Sequence, residues 1–292
     1  MERFATMLTE YRQNVDYYLE NLMAESDMLP DLKKAISYSL LSGGKRIRPI
    51  LTLLTCELVE GQKEAAQKVG AALEFIHTYS LIHDDLPAMD DDEFRRGQKT
   101  NHLVFGEGLA ILAGDALLTE AFTLLTGVNL SGEKRCQLIK LISTAAGPAG
   151  MVGGQVLDLQ AEGKNIDLNQ LKKIHQKKTG ELFKAAILGG ALCGQPQREE
   201  WQALEKYATN LGLTFQIVDD ILDVTGDSEK LGKEVGQDEK RGKNTYPSLL
   251  GLAEAQDRAE EVARKARESL KIFGENAADL SNLVTFVLKR SY

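Results

Sequence analysis

Apolar residues recur along this chain at intervals of three and four, the spacing that gathers side chains on one face of an α-helix. Phe4, Leu8, Tyr11, Val15, Tyr18, Leu19 and Leu22 predict an amphipathic helix over 2–23. A second is expected over 31–41, closed by Gly43 and Gly44, since paired glycines permit the backbone turns a helix terminus needs. A third covers 50–59, with Pro49 at its start, where proline is preferred. Val69, Leu73, Ile76, Ser80 and His83 carry the period through 64–85, and similar patterns cover 108–126, 131–147, 150–163, 168–193, 198–225, 246–272 and 277–289. Only six prolines interrupt 292 residues, and β structure finds little support. With no repeat or low-complexity linker, the expectation is all-α: a single large helical bundle over residues 1–292. The span 226–244 departs from the pattern. It holds Gly232, Gly236, Gly242 and ten charged residues, and is expected to be a mobile surface loop.

Charge concentrates in three places. Asp84, Asp85, Asp90, Asp91 and Asp92 fall within nine residues, and Arg95 and Arg96 follow at once. An acidic run most often faces water. A second run changes that reading: Gln216, Asp219, Asp220 and Asp223 share one helical face, with Phe215, Val218 and Leu222 packed behind. No lysine or arginine lies between Leu211 and Thr225 to neutralise it locally, and like charges so placed destabilise a helix unless a cation intervenes. Oxygen-only ligands suit Mg²⁺, which keeps part of its water shell and shares substrate phosphate. Pro87 should end or kink the preceding helix and let Asp90 fold back toward Asp84. The third cluster, Lys45-Arg46-Ile47-Arg48, sits at a predicted helix amino terminus, where free N–H groups and three cations would face an anion such as diphosphate. His77 and Asp84, seven residues apart, share a helix face.

The remaining composition narrows the class. A formal net charge of −8 argues against nucleic acid as the main partner. Cys56, Cys136 and Cys193 lack any Cys-x-x-Cys spacing and are expected to be reduced, as in a cytoplasmic protein. The first residues do not resemble a signal peptide. The apolar stretch from Leu109 to Leu125, interrupted by Asp115 and Glu120, is expected to be a buried core helix rather than a membrane insertion.

Asp84-Asp85-x-x-x-x-Asp90 with Arg95-Arg96, and Asp219-Asp220-x-x-Asp223, resemble the first and second aspartate-rich motifs of the trans-prenyltransferases. Gly43-Gly44-Lys45-Arg46-x-Arg48-Pro49 resembles the family's isopentenyl diphosphate loop. Gly154-Gln155-x-x-Asp158 and Lys178-Thr179-Gly180 resemble its middle motifs, and Lys233 and Lys243 the lysines of its closing loop. Pro87 within the first motif, and Tyr79 five residues before Asp84, bring the short-chain bacterial farnesyl diphosphate synthases nearest.

The resemblance implies packed helices around a deep central cavity, commonly as a homodimer. It also implies Mg²⁺-dependent, head-to-tail joining of allylic diphosphates (dimethylallyl, geranyl) to isopentenyl diphosphate. Asp84, Asp85, Asp90, Asp219 and Asp223 would hold metal, and Arg95, Lys178 and Lys233 would assist the allylic diphosphate. Lys45, Arg48, His77 and Arg96 would bind isopentenyl diphosphate. Oxygens of Thr179 and Gln216, with carbonyls near Lys178, would face the allylic cation, and Tyr79 would stop chain growth. No protein general base is assigned. Alternatives are a geranylgeranyl or other-length synthase, a class I terpene cyclase, and a silent helical regulatory protein.

Overall fold

A computed structural model describes residues 2–226 and 242–289, and within these the protein is all-α apart from one two-residue hairpin. The helices are α1 Glu2–Glu25, α2 Pro30–Leu40, α3 Ile47–Leu58, α4 Lys63–Asp84, α5 Asn101–Phe105, α6 Glu107–Thr126 and α7 Gly132–Ala146. They continue with α8 Met151–Ala161, α9 Leu168–His175, α10 Glu181–Leu192, α11 Arg198–Thr225, α12 Tyr246–Leu250, α13 Leu252–Ser269 and α14 Ala278–Lys289.

α10 has apolar residues on every side and is buried from Leu182 to Ala191, save Lys184, as such a helix must be. It packs against α3 and α11, while α4 runs along α6 and α3, and α11 is backed by α13. At Gly190 a methyl group would lie 2.3 Å from the Thr52 carbonyl oxygen, so glycine sets how closely α10 meets α3.

Four local features differ from the pattern read in the sequence. The helix expected over 168–193 passes through a π-helical turn, Gln176–Gly180. The one expected over 246–272 breaks at Gly251, whose φ of 82° is open to glycine at little cost. Phe94–Arg95 and Gln98–Lys99 pair antiparallel across Arg96 (φ 55°) and Gly97 (φ 76°), a turn whose positive φ values match strand twist. Finally, α6 is not a buried core helix. Its 20 residues are long and apolar enough to cross a membrane, only a third of the apolar window is buried, and Ile111 and Leu112 are exposed. The pattern of α6 is apolar on both faces, and among the described residues one of them is left uncovered at Ile111 and Leu112.

Arg46 also departs from expectation. Rather than facing an anion with Lys45 and Arg48, its fully buried guanidinium donates to Asp16 (2.7 Å), Glu74 (2.7 Å) and the Leu40 carbonyl (2.7 Å). It ties α1, α2 and α4 together just before α3. Arg46→Ala would strand Glu74, itself 2% exposed, and should cost about 3–5 kcal/mol in denaturant unfolding.

Candidate active site

One cleft of about 730 Å³ lies between α3, α4, the 94–99 hairpin, the π turn and α11. Its walls include Lys45, Arg48, His77, Arg95, Arg96, Thr179, Gln216 and Asp219, all singled out from the sequence.

The cationic wall begins at the Gly43–Gly44 turn. Gly44 has φ 122°, a conformation that favours glycine, and a methyl group there would also crowd the Arg96 guanidinium, its carbon 2.8 Å away. Arg96 donates to Ser42 Oγ (3.2 Å) and to the Gly43 carbonyl, which pins the hairpin against this turn. Arg48, in the first turn of α3, lies over the Phe183 ring at 5.2 Å, and its Nε has no hydrogen-bond partner among the described residues. Burial pushes Arg48 down to about 10. His77 is held well below its usual range, by burial first and then by Arg48, Arg96, Arg95 and Arg46. Burial, more than neighbouring charge, lowers these cations, while Glu74 opposes the shift at Arg48.

The acidic wall is built from the end of α4, the turn that follows it and α11. α4 ends at Asp84, and the Asp90 amide donates to the Asp84 carbonyl (2.8 Å), the fold-back expected from Pro87. Asp84 is raised to about 6 by burial, with Asp90 and Asp85 adding and Lys178 opposing. Asp219 and Asp223 lie one turn apart on α11, Asp219 on the cleft and Asp223 buried. Ammonium groups enter from two other elements. Lys178 Nζ donates to Asp158 Oδ2 (2.6 Å), and Lys243 Nζ lies 3.6 Å from Asp90 and 4.0 Å from Asp158.

Asp85 differs from the metal-ligand expectation. Arg95 Nε reaches both its oxygens (2.7 and 2.9 Å), and the carboxylate is buried beneath the hairpin. A guanidinium matched to both oxygens leaves Asp85 aiming Arg95 rather than facing the cleft. Tyr79 does not line the cleft. It is 6% exposed, sits edge-on to His83 at 5.7 Å, and is pushed up to about 12 by burial and then Asp84. Lys233 lies outside the described residues, as does most of the 226–244 span.

The middle motifs explain each other in space. A methyl group at Gly154 would lie 2.2 Å from the Lys178 nitrogen and 2.6 Å from its Cα, so α8 rests directly on the π turn and brings Asp158 to Lys178. The π turn itself is a departure common at functional sites, and here it carries both Lys178 and Thr179. Sequence reasoning undervalued Asp158, Lys243, Glu74 and Phe183, and missed His175. Asp220, though inside the second motif, points elsewhere: its Oδ2 accepts from His175 Nε2 (3.0 Å) and from the Tyr246 amide (2.9 Å).

Among the described residues no three carboxylate, histidine or cysteine side chains converge on one point. Carboxylate oxygens of this kind suit ions that take their remaining ligands from water and from a bound phosphate, which is how Mg²⁺ is usually held.

Known proteins resemble the chain closely. The family model described as Polyprenyl synthetase matches residues 30–280. A farnesyl diphosphate synthase of Geobacillus stearothermophilus is 44% identical over 288 residues, covering 98% of this chain and 97% of that protein. A geranylgeranyl diphosphate synthase of Cyanophora paradoxa is 46% identical over 260 residues, 88% of this chain and 87% of that protein. A crystal structure of a geranyltransferase from Helicobacter pylori, complexed with magnesium and isoprenyl diphosphate, superposes with a TM-score of 0.83. It shares 34% sequence identity, and the match covers 96% of each chain. The chain belongs to the polyprenyl synthetase family and is a short-chain prenyltransferase enzyme.

Proposed function

We propose that the protein joins dimethylallyl and then geranyl diphosphate to isopentenyl diphosphate, making farnesyl diphosphate and releasing diphosphate. The observation that carries this reading is one cleft that gathers Lys45, Arg48, His77, Arg95 and Arg96 on walls shared with Asp219 of the second aspartate-rich motif. A diphosphate held by the cations alone, and a second held through metal at the aspartates, suit that lining.

The donor set fits Mg²⁺, with Asp84, Asp90, Asp219 and Asp223 as the residues that hold it. Bound there, Mg²⁺ would neutralise charge building on the departing diphosphate. Lys178 and Arg95 add positive charge at the same end, each aimed by a carboxylate, Asp158 and Asp85. Lys45, Arg48, Arg96 and His77 hold isopentenyl diphosphate without metal, Arg48 with its unpaired Nε and His77 as a neutral imidazole. Holding both reactants in register removes much of the entropic barrier. Thr179 and Gln216 turn side-chain oxygens toward the allylic cation, and the released diphosphate takes the final proton.

A class I cyclase has no use for the cationic wall. Supplied with geranyl diphosphate and Mg²⁺ alone, the protein should release no diphosphate, whereas adding isopentenyl diphosphate should start release. Consumption of geranyl diphosphate alone, with cyclic products, would count for the cyclase.

We assign the limit on product length to Tyr79, which lies five residues before Asp84 on α4, about 7.5 Å along the axis at 1.5 Å per residue; its ring is packed outside the walls of the cleft and would be met by a chain that outgrows it. Tyr79→Ala should add at least one five-carbon unit, visible by mass spectrometry of the products. A folded, active variant still stopping at the wild-type length would exclude Tyr79 as the stop.

The protein acts as a homodimer. Support comes from Leu103, Val104, Ile111 and Leu112, exposed apolar residues that follow one another through α5 and α6. Sedimentation velocity should give twice the chain mass, and Leu112→Glu should shift the species toward the monomer.

A further inference from the structure

His175 is nine-tenths buried, and none of the roles above uses it. It is the last residue of α9, immediately before the π turn that carries Lys178 and Thr179. Its ring stacks on Tyr246 at 5.8 Å and 17°, and its two nitrogens reach different parts of α11. Nε2 meets Asp220 Oδ2 at 3.0 Å, and Nδ1 meets Gln216 Nε2 at 3.4 Å. The Tyr246 amide also donates to Asp220 Oδ2 (2.9 Å), so the carboxylate is held by two donors.

We propose that His175 is a positioning residue for Gln216: it fixes which end of the Gln216 amide faces the cleft. An amide side chain presents an oxygen from one end and N–H groups from the other, and nothing in its own shape selects between them. Against the effect of burial, Asp220 holds the His175 ring above its ordinary range; at a pH where the ring is neutral, with its proton on Nε2 and shared with Asp220, Nδ1 is an acceptor. Gln216 must then offer its nitrogen to the ring, which leaves Oε1 for the cleft. An oxygen there stabilises a developing carbocation, and an N–H group there would repel it. The second aspartate-rich motif thus has two uses for its acids. Asp219 and Asp223 face the metal end, while Asp220 reaches Gln216 through His175. The inference rests on the prenyl-transfer reading and on the role given to Gln216.

The test is a double-mutant cycle with dimethylallyl and isopentenyl diphosphates under saturating Mg²⁺. His175→Phe keeps the stack on Tyr246 and loses both hydrogen bonds. It should lower kcat by on the order of tenfold or more, with KM for both diphosphates within about twofold of wild type. In a Gln216→Leu background the same substitution should have almost no further effect, because the group it positions is gone. His175→Gln, whose amide can donate to Asp220 and accept from Gln216, should recover most of the lost rate. Should the Phe variant fail to fold, His175→Asn carries the cycle, since its shorter side chain cannot span both partners. An equal, additive loss in both backgrounds would overturn the inference and leave His175 a packing residue. Full turnover of Gln216→Leu alone would instead refute the role of Gln216 in the reaction, a separate failure with a separate signature.

Discussion

Asp84→Asn is expected to make the ligand-free protein more stable and the enzyme inactive. Asp84 is raised from 3.8 to about 6 by burial among other carboxylates, so the folded state holds its proton more tightly than the unfolded chain does. The contribution to stability is therefore present below pH 4 and is lost as pH rises through 6. At pH 7 and above the ionised carboxylate is a cost to the fold, on the order of 1 kcal/mol once solvent screening is allowed for. Neutral asparagine of the same shape removes that cost. Melting of the metal-free protein at pH 7.5 should rise by roughly 2 °C. Turnover with both substrates should fall by about 10²–10³ or more, because an oxygen that meets charge growing in the transition state has been weakened. A variant that melts lower than wild type without ligands, or turns over normally, would contradict this account of the acidic wall.

Gly154→Ala should damage both the fold and turnover. The added carbon would sit 2.2 Å from the Lys178 nitrogen and 2.7 Å from the Lys177 carbonyl carbon, and backbone cannot swing aside as a side-chain end can. Either α8 or the π turn must move by roughly an ångström, at about 1–3 kcal/mol for overpacking. The same shift separates Asp158 from Lys178 and displaces Thr179, and a misplacement of that size can lower kcat by about 10². Gly153, one residue earlier, makes a useful control for handling but not for geometry, since its own methyl group would strike the Pro148 carbonyl oxygen within α8's entry turn. Gly108→Ala, with open space at that position, should be nearly silent. Paired measurements of unfolding and kcat on the Gly154 and Gly108 variants check the prediction.

The helices were readable because each buries one face, and a period of 3.6 leaves its mark on any segment that does so. α1, α4 and α11 match the expected spans to within two residues at each end. Periodicity could not reveal where one helical run becomes two, since the residues on both sides of Gly251 keep the apolar pattern while the backbone turns at φ 82°. Nor could it reveal the π turn, against which Gly154 of another helix packs closely. The outward face of α6 misled for a related reason: an apolar face looks the same in sequence whether this chain or another molecule covers it.

Charges behaved likewise. The aspartates and basic residues stood out, but which of them pair with one another depends on long-range packing. Arg46 met Glu74 across 28 positions and Asp85 met Arg95 across ten, so neither is left to face a ligand. His175 and Asp220 are 45 residues apart and were joined only by the fold.

The central claim is that one cleft holds two diphosphates and joins their chains to a set length. Mass spectrometry of products from the purified protein, given Mg²⁺, dimethylallyl diphosphate and excess isopentenyl diphosphate, tests it most directly. The account predicts farnesyl diphosphate as the main product, with geranyl diphosphate as the intermediate and diphosphate released once per condensation. A main product of twenty carbons or more would contradict the stop assigned to Tyr79, and the absence of any condensation product would contradict the two-site reading itself.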